Sequence, residues 1–213
     1  MRADAHISTT RTEVRSGMLA RHVAIKLDGG RAFALSTGLG MPRMWSYASA
    51  ATIEGVERAF EESKAERGLP RLRSVLGAAR NALAARCDQL VERALPDATL
   101  VLLSIDSGEL SVMSVGSGRV YLLRKSRPRR LTARDEPAGG LLRARPCECS
   151  IALEPGDLVL AGSLTAFSTS SIARAVSVLA ADPETTPAVL ASLLTEPAGK
   201  AGVGAAALVL RVR

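Results

Sequence analysis

"ATLVLLSIDSGELSVMSVGSGRVYLLR", residues 98–124, decides how this chain folds. Three apolar runs stand in it: Ala98 to Ile105, Glu109 to Val115 and Arg119 to Arg124. Each has the length of a strand and falls short of a helix. Asp106-Ser107-Gly108 and Gly116-Ser117-Gly118 separate them. Tight glycine turns between short apolar runs make antiparallel hairpins, so the stretch is a meander of three strands. Strands that follow directly on one another do not build a doubly wound sheet, in which single strands alternate with helices.

Upstream, Ile7 to Val14 alternates loosely and Leu19 to Leu27 reads as a strand. Asp28-Gly29-Gly30 turns it back into a second strand, Arg31 to Ser36. "ALSTGLGM" (34–41) follows the strand with a turn at Gly38 and Gly40. Ala48, Thr52, Val56 and Phe60 then recur at helical spacing, as do Leu72, Val75, Leu76, Ala79, Leu83, Leu90 and Val91. Gly68-Leu69-Pro70 divides the two helices, with Pro70 placed to open the second. Downstream, Arg129 to Thr132 is a short strand and Pro137 to Arg145 a loop. Cys149 to Leu153 and Asp157 to Ser163 flank the turn Glu154-Pro155-Gly156. Two helices, Ser171 to Ala180 and Ala188 to Leu194, precede a last strand, Ala205 to Val212. The order predicts an α+β fold with antiparallel sheets covered by helices.

The totals agree. The 213 residues suit a single domain, 1–213, and 47% are hydrophobic, enough for a sizeable core. Aromatics are only 3%, so that core is built from Ala, Val, Leu and Ile. No apolar run approaches the length of a membrane span, and Met1 to Thr10 has no signal-like apolar stretch, so a cytoplasmic location is expected. Three cysteines make no disulfide framework. Cys147 and Cys149, even with Cys87, His6 and His22, match no zinc spacing and read as packing or surface residues.

The net charge of +7 is uneven. Arg119, Arg124, Lys125, Arg127, Arg129, Arg130, Arg134, Arg143 and Arg145 fall in one short segment, opposed there only by Asp135 and Glu136. Such a segment suits a solvated hairpin tip, or an acidic or phosphorylated partner. Nucleic acid is a weaker match, because only Tyr121 supplies an aromatic surface nearby. Gly199-Lys200 fails as a phosphate-binding loop, since Leu194 and Ala201 stand where glycine and a hydroxyl are needed. Gly116-Ser117-Gly118 is no nucleophile elbow, and neither histidine has a catalytic motif around it.

Four pieces, in order, resemble the metal-dependent protein phosphatases, the protein phosphatase 2C-like or PPM family. "SVGSGRVYLLR" (114–124) is similar to the family's vGDSRvYl, with Gly116, Arg119 and Tyr121 matching and Ser117 in place of Asp. "RRLT" (129–132) follows at the right distance, and "LEPGDLVLAGSLTAF" (153–167) resembles the family's GD turn and SDGL strand end. "ALSTGLGMPRMWSYAS" (34–49) resembles its ADGMGG segment. The resemblance, from about Ala20 to Arg213, implies a four-layer α-β-β-α sandwich of two antiparallel sheets flanked by helix pairs. It also implies phosphoserine and phosphothreonine hydrolysis by a water held between two magnesium or manganese ions.

Two divalent cations a few ångströms apart are held by anionic oxygens. Carried over by the resemblance, the aspartate positions are neutral here. The glycine-segment Asp falls on Thr37, followed by Gly38; the strand-end Asp on Leu164, or on Ser163 after a slip of one; the late Asp-Asn pair near Val203 and Gly204. "RSGMLAR" (15–21) holds no counterpart of the early acidic motif, while Asp28, Asp135 and Asp157 lie in turns. The sequence therefore predicts a catalytically inactive member, a pseudophosphatase, with no cofactor. It would act as a protein-binding or regulatory module in serine/threonine phosphorylation signalling. Arg124, Lys125, Arg127, Arg129, Arg130 and Arg134 are its candidate docking residues. The alternative is an active phosphatase with unconventional ligands.

Overall fold

The structure, a computed structural model, describes residues 3–10, 12–13, 19–20, 22–63, 66–90, 96–133, 139–167 and 169–213. Alternating apolar residues and glycine turns produce twelve strands in it. These are β1 (Ala3–Thr10), β2 (Thr12–Glu13), β3 (Leu19–Ala20), β4 (His22–Leu27), β5 (Ala32–Leu39), β6 (Asp97–Asp106), β7 (Glu109–Val115), β8 (Arg119–Arg124), β9 (Arg127–Arg130), β10 (Cys147–Ala152), β11 (Leu158–Gly162) and β12 (Ala205–Val212). Four α-helices interrupt them: α1 (Trp45–Glu62), α2 (Gly68–Cys87), α3 (Thr169–Ala181) and α4 (Pro187–Lys200).

One five-stranded sheet runs β1-β12-β11-β8-β9 and the other β10-β7-β6-β5-β4, with every pairing antiparallel. Alternation along each strand then sorts the side chains into layers. Phe33, Leu35, Val101, Leu103, Val120, Leu122, Val159 and Leu208 meet between the sheets. On the outer face of the second sheet, Ala34, Leu100, Leu102 and Met113 pack against Val56, Phe60, Leu72 and Leu83 of α1 and α2. On the outer face of the first, Leu160, Ala207 and Val209 pack against Leu179, Leu190 and Leu194 of α3 and α4. The result is the four-layer α-β-β-α sandwich of an α+β protein. Among the described residues, no helix is long and apolar enough to cross a membrane.

Several boundaries depart from the sequence expectation. The helix expected to include Leu90 ends at Cys87, with Leu90 in the turn beyond it; Val91 lies outside the described residues. Burial raises the pKa of the Cys87 thiol, which sits 3.4 Å from the Pro96 carbonyl oxygen. Helix α4 runs past Leu194 to Lys200, through Pro197, because Ala198 still packs on the core one turn later. Gly68-Leu69-Pro70 does not precede α2 but forms its first turn.

The largest correction concerns "ALSTGLGM". Thr37 and Gly38 belong to no loop: β5 continues through both, pairing Thr37 with Thr99 and Gly38 with Ala98 of β6. The turn starts only at Gly40, whose φ is +88°. Gly38 is glycine for another reason. A Cβ there would lie 2.2 Å from the carbonyl oxygen of Trp45, where α1 begins against the strand. That obstacle is backbone and cannot swing aside.

Two glycine substitutions therefore move stability in opposite directions. Gly38→Ala should cost about 3 kcal/mol, because backbone must shift to admit the methyl group. Gly77→Ala should gain about 1 kcal/mol from helix propensity, since Gly77 is exposed in α2 with nothing within 4 Å of its would-be Cβ. Urea unfolding of the two variants checks both signs.

Candidate functional site

The neutral positions singled out in the sequence come from four separate segments, and the strand pairing brings them to one end of the sandwich. Thr37 near the end of β5 pairs with Thr99 near the start of β6. The start of β6 pairs with the end of β7, through Leu100 and Val115. The short turn Gly116-Ser117-Gly118 then carries the chain into the other sheet. There Arg119, at the start of β8, pairs with Gly162, at the end of β11, and Gly162 pairs with Ala207 near the start of β12. Ser163, Leu164, Val203 and Gly204 all flank these last two strand ends.

Two kinds of glycine constraint make this crossing tight. Gly116 has a φ of +81°, a backbone conformation that suits glycine. A Cβ on Gly118 would meet the Val101 side chain at 2.4 Å. Arg119 donates to the Phe167 carbonyl at 3.0 Å, and the Tyr121 ring lies 5.2 Å from that of Phe167. These two residues of the motif thus hold the segment after β11 in place.

Among the described residues, the ends of β11 and β12 meet through hydroxyls and a carbonyl. Ser163 and Thr165 are 2.9 Å apart through their hydroxyl oxygens, and Thr165 donates to the Gly204 carbonyl at 2.7 Å. The Ser163 hydroxyl also accepts from the Ala206 amide at 3.2 Å. This network ties the end of β11 to the start of β12. In the other sheet, alternation from Phe33 and Leu35 directs Thr37 between the sheets. Its cross-strand neighbour Thr99 is 1% exposed, and its hydroxyl has no hydrogen-bond partner among the described residues. Leu164 and Val203 are aliphatic and exposed, at 43% and 40%.

Sequence reading passed over one acid at this end. Asp97, the first residue of β6, accepts from its neighbour Ala98 at 2.8 Å and from the Leu142 amide at 3.2 Å. It fastens the 139–144 loop, and a Cβ on Gly140 would sit 2.6 Å from its carboxyl carbon. The signal was a lone Asp before an apolar strand, which is uninformative without the loop that folds back on it. Among the described residues, no three of His, Cys, Asp and Glu are grouped to hold a metal ion. The residues at the strand ends do not fit the ligand set of a dinuclear divalent centre.

The basic segment divides into residues with different roles. Arg124 is committed within the fold. Its guanidinium donates to both carboxylate oxygens of buried Asp157 at 2.9 and 2.7 Å, to Glu154 at 2.7 Å and to the Ala152 carbonyl of β10 at 2.8 Å. The hydrogen bonds it donates to Asp157 raise its pKa above the usual arginine value. Arg130 donates to the Thr132 hydroxyl at 3.2 Å. Lys125, Arg127 and Arg129 are exposed and make no ion pair with the described residues. Arg134 lies outside the described residues.

No family model matches the chain, and no curated protein matches it significantly. Solved structures do. The Mycobacterium tuberculosis serine/threonine phosphatase PstP/Ppp superimposes with a TM-score of 0.78 at 20% identity, over 99% of each chain. The PPM Ser-Thr phosphatase MsPP from Mycobacterium smegmatis, solved in complex with cacodylate, gives 0.74 at 19% identity, over 99% of this chain and 98% of that one. The catalytic domain of PstP in complex with 2 manganese ions gives 0.76 at 20% identity, over 99% of each chain. The chain has the PP2C-type, or PPM, serine/threonine phosphatase fold. The manganese complex corrects the expectation of no cofactor, because a neighbour with this fold was solved with 2 manganese ions.

The role of Arg124 has a direct test. Arg124→Ala leaves Asp157, 1% exposed, with only the Glu154 amide as a partner among the described residues. The variant should unfold at lower urea than the parent. Combining it with Asp157→Ala should cost less than the sum of the two single changes, the mark of a coupled pair.

Proposed function

We propose that residues 1–213 form a single PP2C-like domain that is catalytically inactive and works as a protein-binding or regulatory module in serine/threonine phosphorylation signalling. The observation that carries this reading is the Ser163–Thr165–Gly204 network at the strand ends. Hydroxyls and a carbonyl there satisfy one another, and they bring no negative charge. Phosphoryl transfer to water at such an end would need groups that generate a hydroxide and balance the charge developing on phosphate. Thr37, Ser163, Thr165 and the aliphatic Leu164 and Val203 supply neither. Exposed aliphatic side chains at this position suit contact with another protein better than contact with a hydrated phosphate.

The same fold also serves the neighbours named as phosphatases. The reading for this chain therefore stands or falls on turnover. Hydrolysis of a small aryl phosphate, with manganese added in excess, should proceed at the rate of protein-free buffer. Manganese-dependent turnover that co-purifies with the folded chain would overturn the proposal. It would favour the second reading, an active phosphatase with unconventional ligands.

A further inference from the structure

β9 is one edge strand of its sheet and β10 one edge strand of the other, and both border the same side of the sandwich. A groove of ≈ 600 Å³ lies between them, lined by Leu122, Arg124, Lys125, Arg127, Arg129 and Ile151. The pairing register explains its character. Arg129 stands opposite Leu122 and Arg127 opposite Arg124. Leu122 points between the sheets, so Arg127 and Arg129 project from the same face of their sheet, towards the gap. Ile151 faces them from β10, partly buried against the inter-sheet core. The floor is thus aliphatic and the rim cationic.

Nothing described in the fold neutralises that rim. The neighbouring acids Glu154 and Asp157 are both taken by Arg124, which reaches across to the Ala152 carbonyl and closes one end of the groove. Glu148 of β10 pairs with Arg73 of α2, outside the sandwich gap. Among the described residues, no carboxylate lines the groove. Inward-pointing charge on an edge strand also discourages edge-to-edge pairing. Pro128 already serves that end, because it sits on the outward face of β9 and lacks an N–H. Leu131 donates its amide to Val120, so alternation puts Pro128 where a β9 amide would point away from β8. A ligand here is held by side chains rather than by strand addition.

We propose that this groove docks an acidic peptide segment, with Asp or Glu side chains on Lys125, Arg127 and Arg129 and one aliphatic side chain seated on Leu122 and Ile151. The inference rests on the reading of the chain as a protein-binding domain and names the chemistry of its partner. Carboxylates pair with the arginine forks, and the aliphatic anchor gives a sequence preference that charge alone does not.

Fluorescence anisotropy on the full chain tests this, with a labelled short peptide of Asp and Glu residues around one central leucine. Binding should saturate, weaken as salt rises, and fall by about tenfold or more in Arg127→Ala/Arg129→Ala. Both arginines are exposed, so the melting temperature should stay at the parent value. Replacing the central leucine by serine should weaken binding to the parent but not to Ile151→Ser. Absence of saturable binding, unchanged affinity in the double arginine variant, or equal affinity for an oligonucleotide of the same charge overturns the proposal. Failure here leaves the absence of turnover untouched. Manganese-dependent turnover with peptide binding intact would instead sink the proposed inactivity and keep the groove.

Discussion

Two antiparallel sheets packed face to face form the constraint on which the rest of the molecule depends. Phe33, Leu35, Val101, Leu103, Leu110, Val120, Leu122, Val159 and Leu208 fill the space between them. Each such side chain contributes roughly 1.5–3 kcal/mol when fully buried. With few aromatics, small residues let the sheets and helices come close, and the backbone contacts become unforgiving. Gly38 under Trp45 and Gly118 against Val101 are examples. This packing fixes which strand ends share an end of the sandwich, and so fixes where any chemistry can occur.

That end is where the neutral positions singled out in the sequence gather. The fold gathers Thr37, Ser163, Thr165, Gly204 and the exposed Leu164 and Val203 in one place, although they are far apart in sequence. Their hydrogen bonds are internal to the protein. The cations, in contrast, are deployed elsewhere, along the open side between β9 and β10. There Arg124 stitches the two sheets while Lys125, Arg127 and Arg129 remain available. The exposed cations and the hydroxyl-bearing strand ends are thus separate places on this molecule, in keeping with the proposed binding role.

Much of the fold was legible because strand alternation and glycine turns are local signals. The meander of β6, β7 and β8 and the final strand β12 sit where the pattern places them, β12 to the residue. Elsewhere the deciding contacts are distant. Gly38 looks like a turn glycine in sequence, yet it is a strand residue made necessary by a helix start seven residues on. Arg124 looks like one more member of a basic run, yet Asp157, thirty-three residues away, claims its guanidinium. Asp97 gave no signal, because its partner is a loop amide at Leu142. The positions that the family resemblance singles out lie far apart in sequence, and only the pairing register shows which strand ends meet.

The central claim is that hydroxyl and carbonyl groups, not carboxylates, make up the end of the sandwich where β11 and β12 meet. A high-resolution crystal structure of the chain soaked in manganese tests it most directly. The account predicts that Thr165 still donates to Gly204 beside Ser163, and that no carboxylate ligates any ion at that end. Two manganese ions held there by converging carboxylates, Asp97 among them, would contradict it.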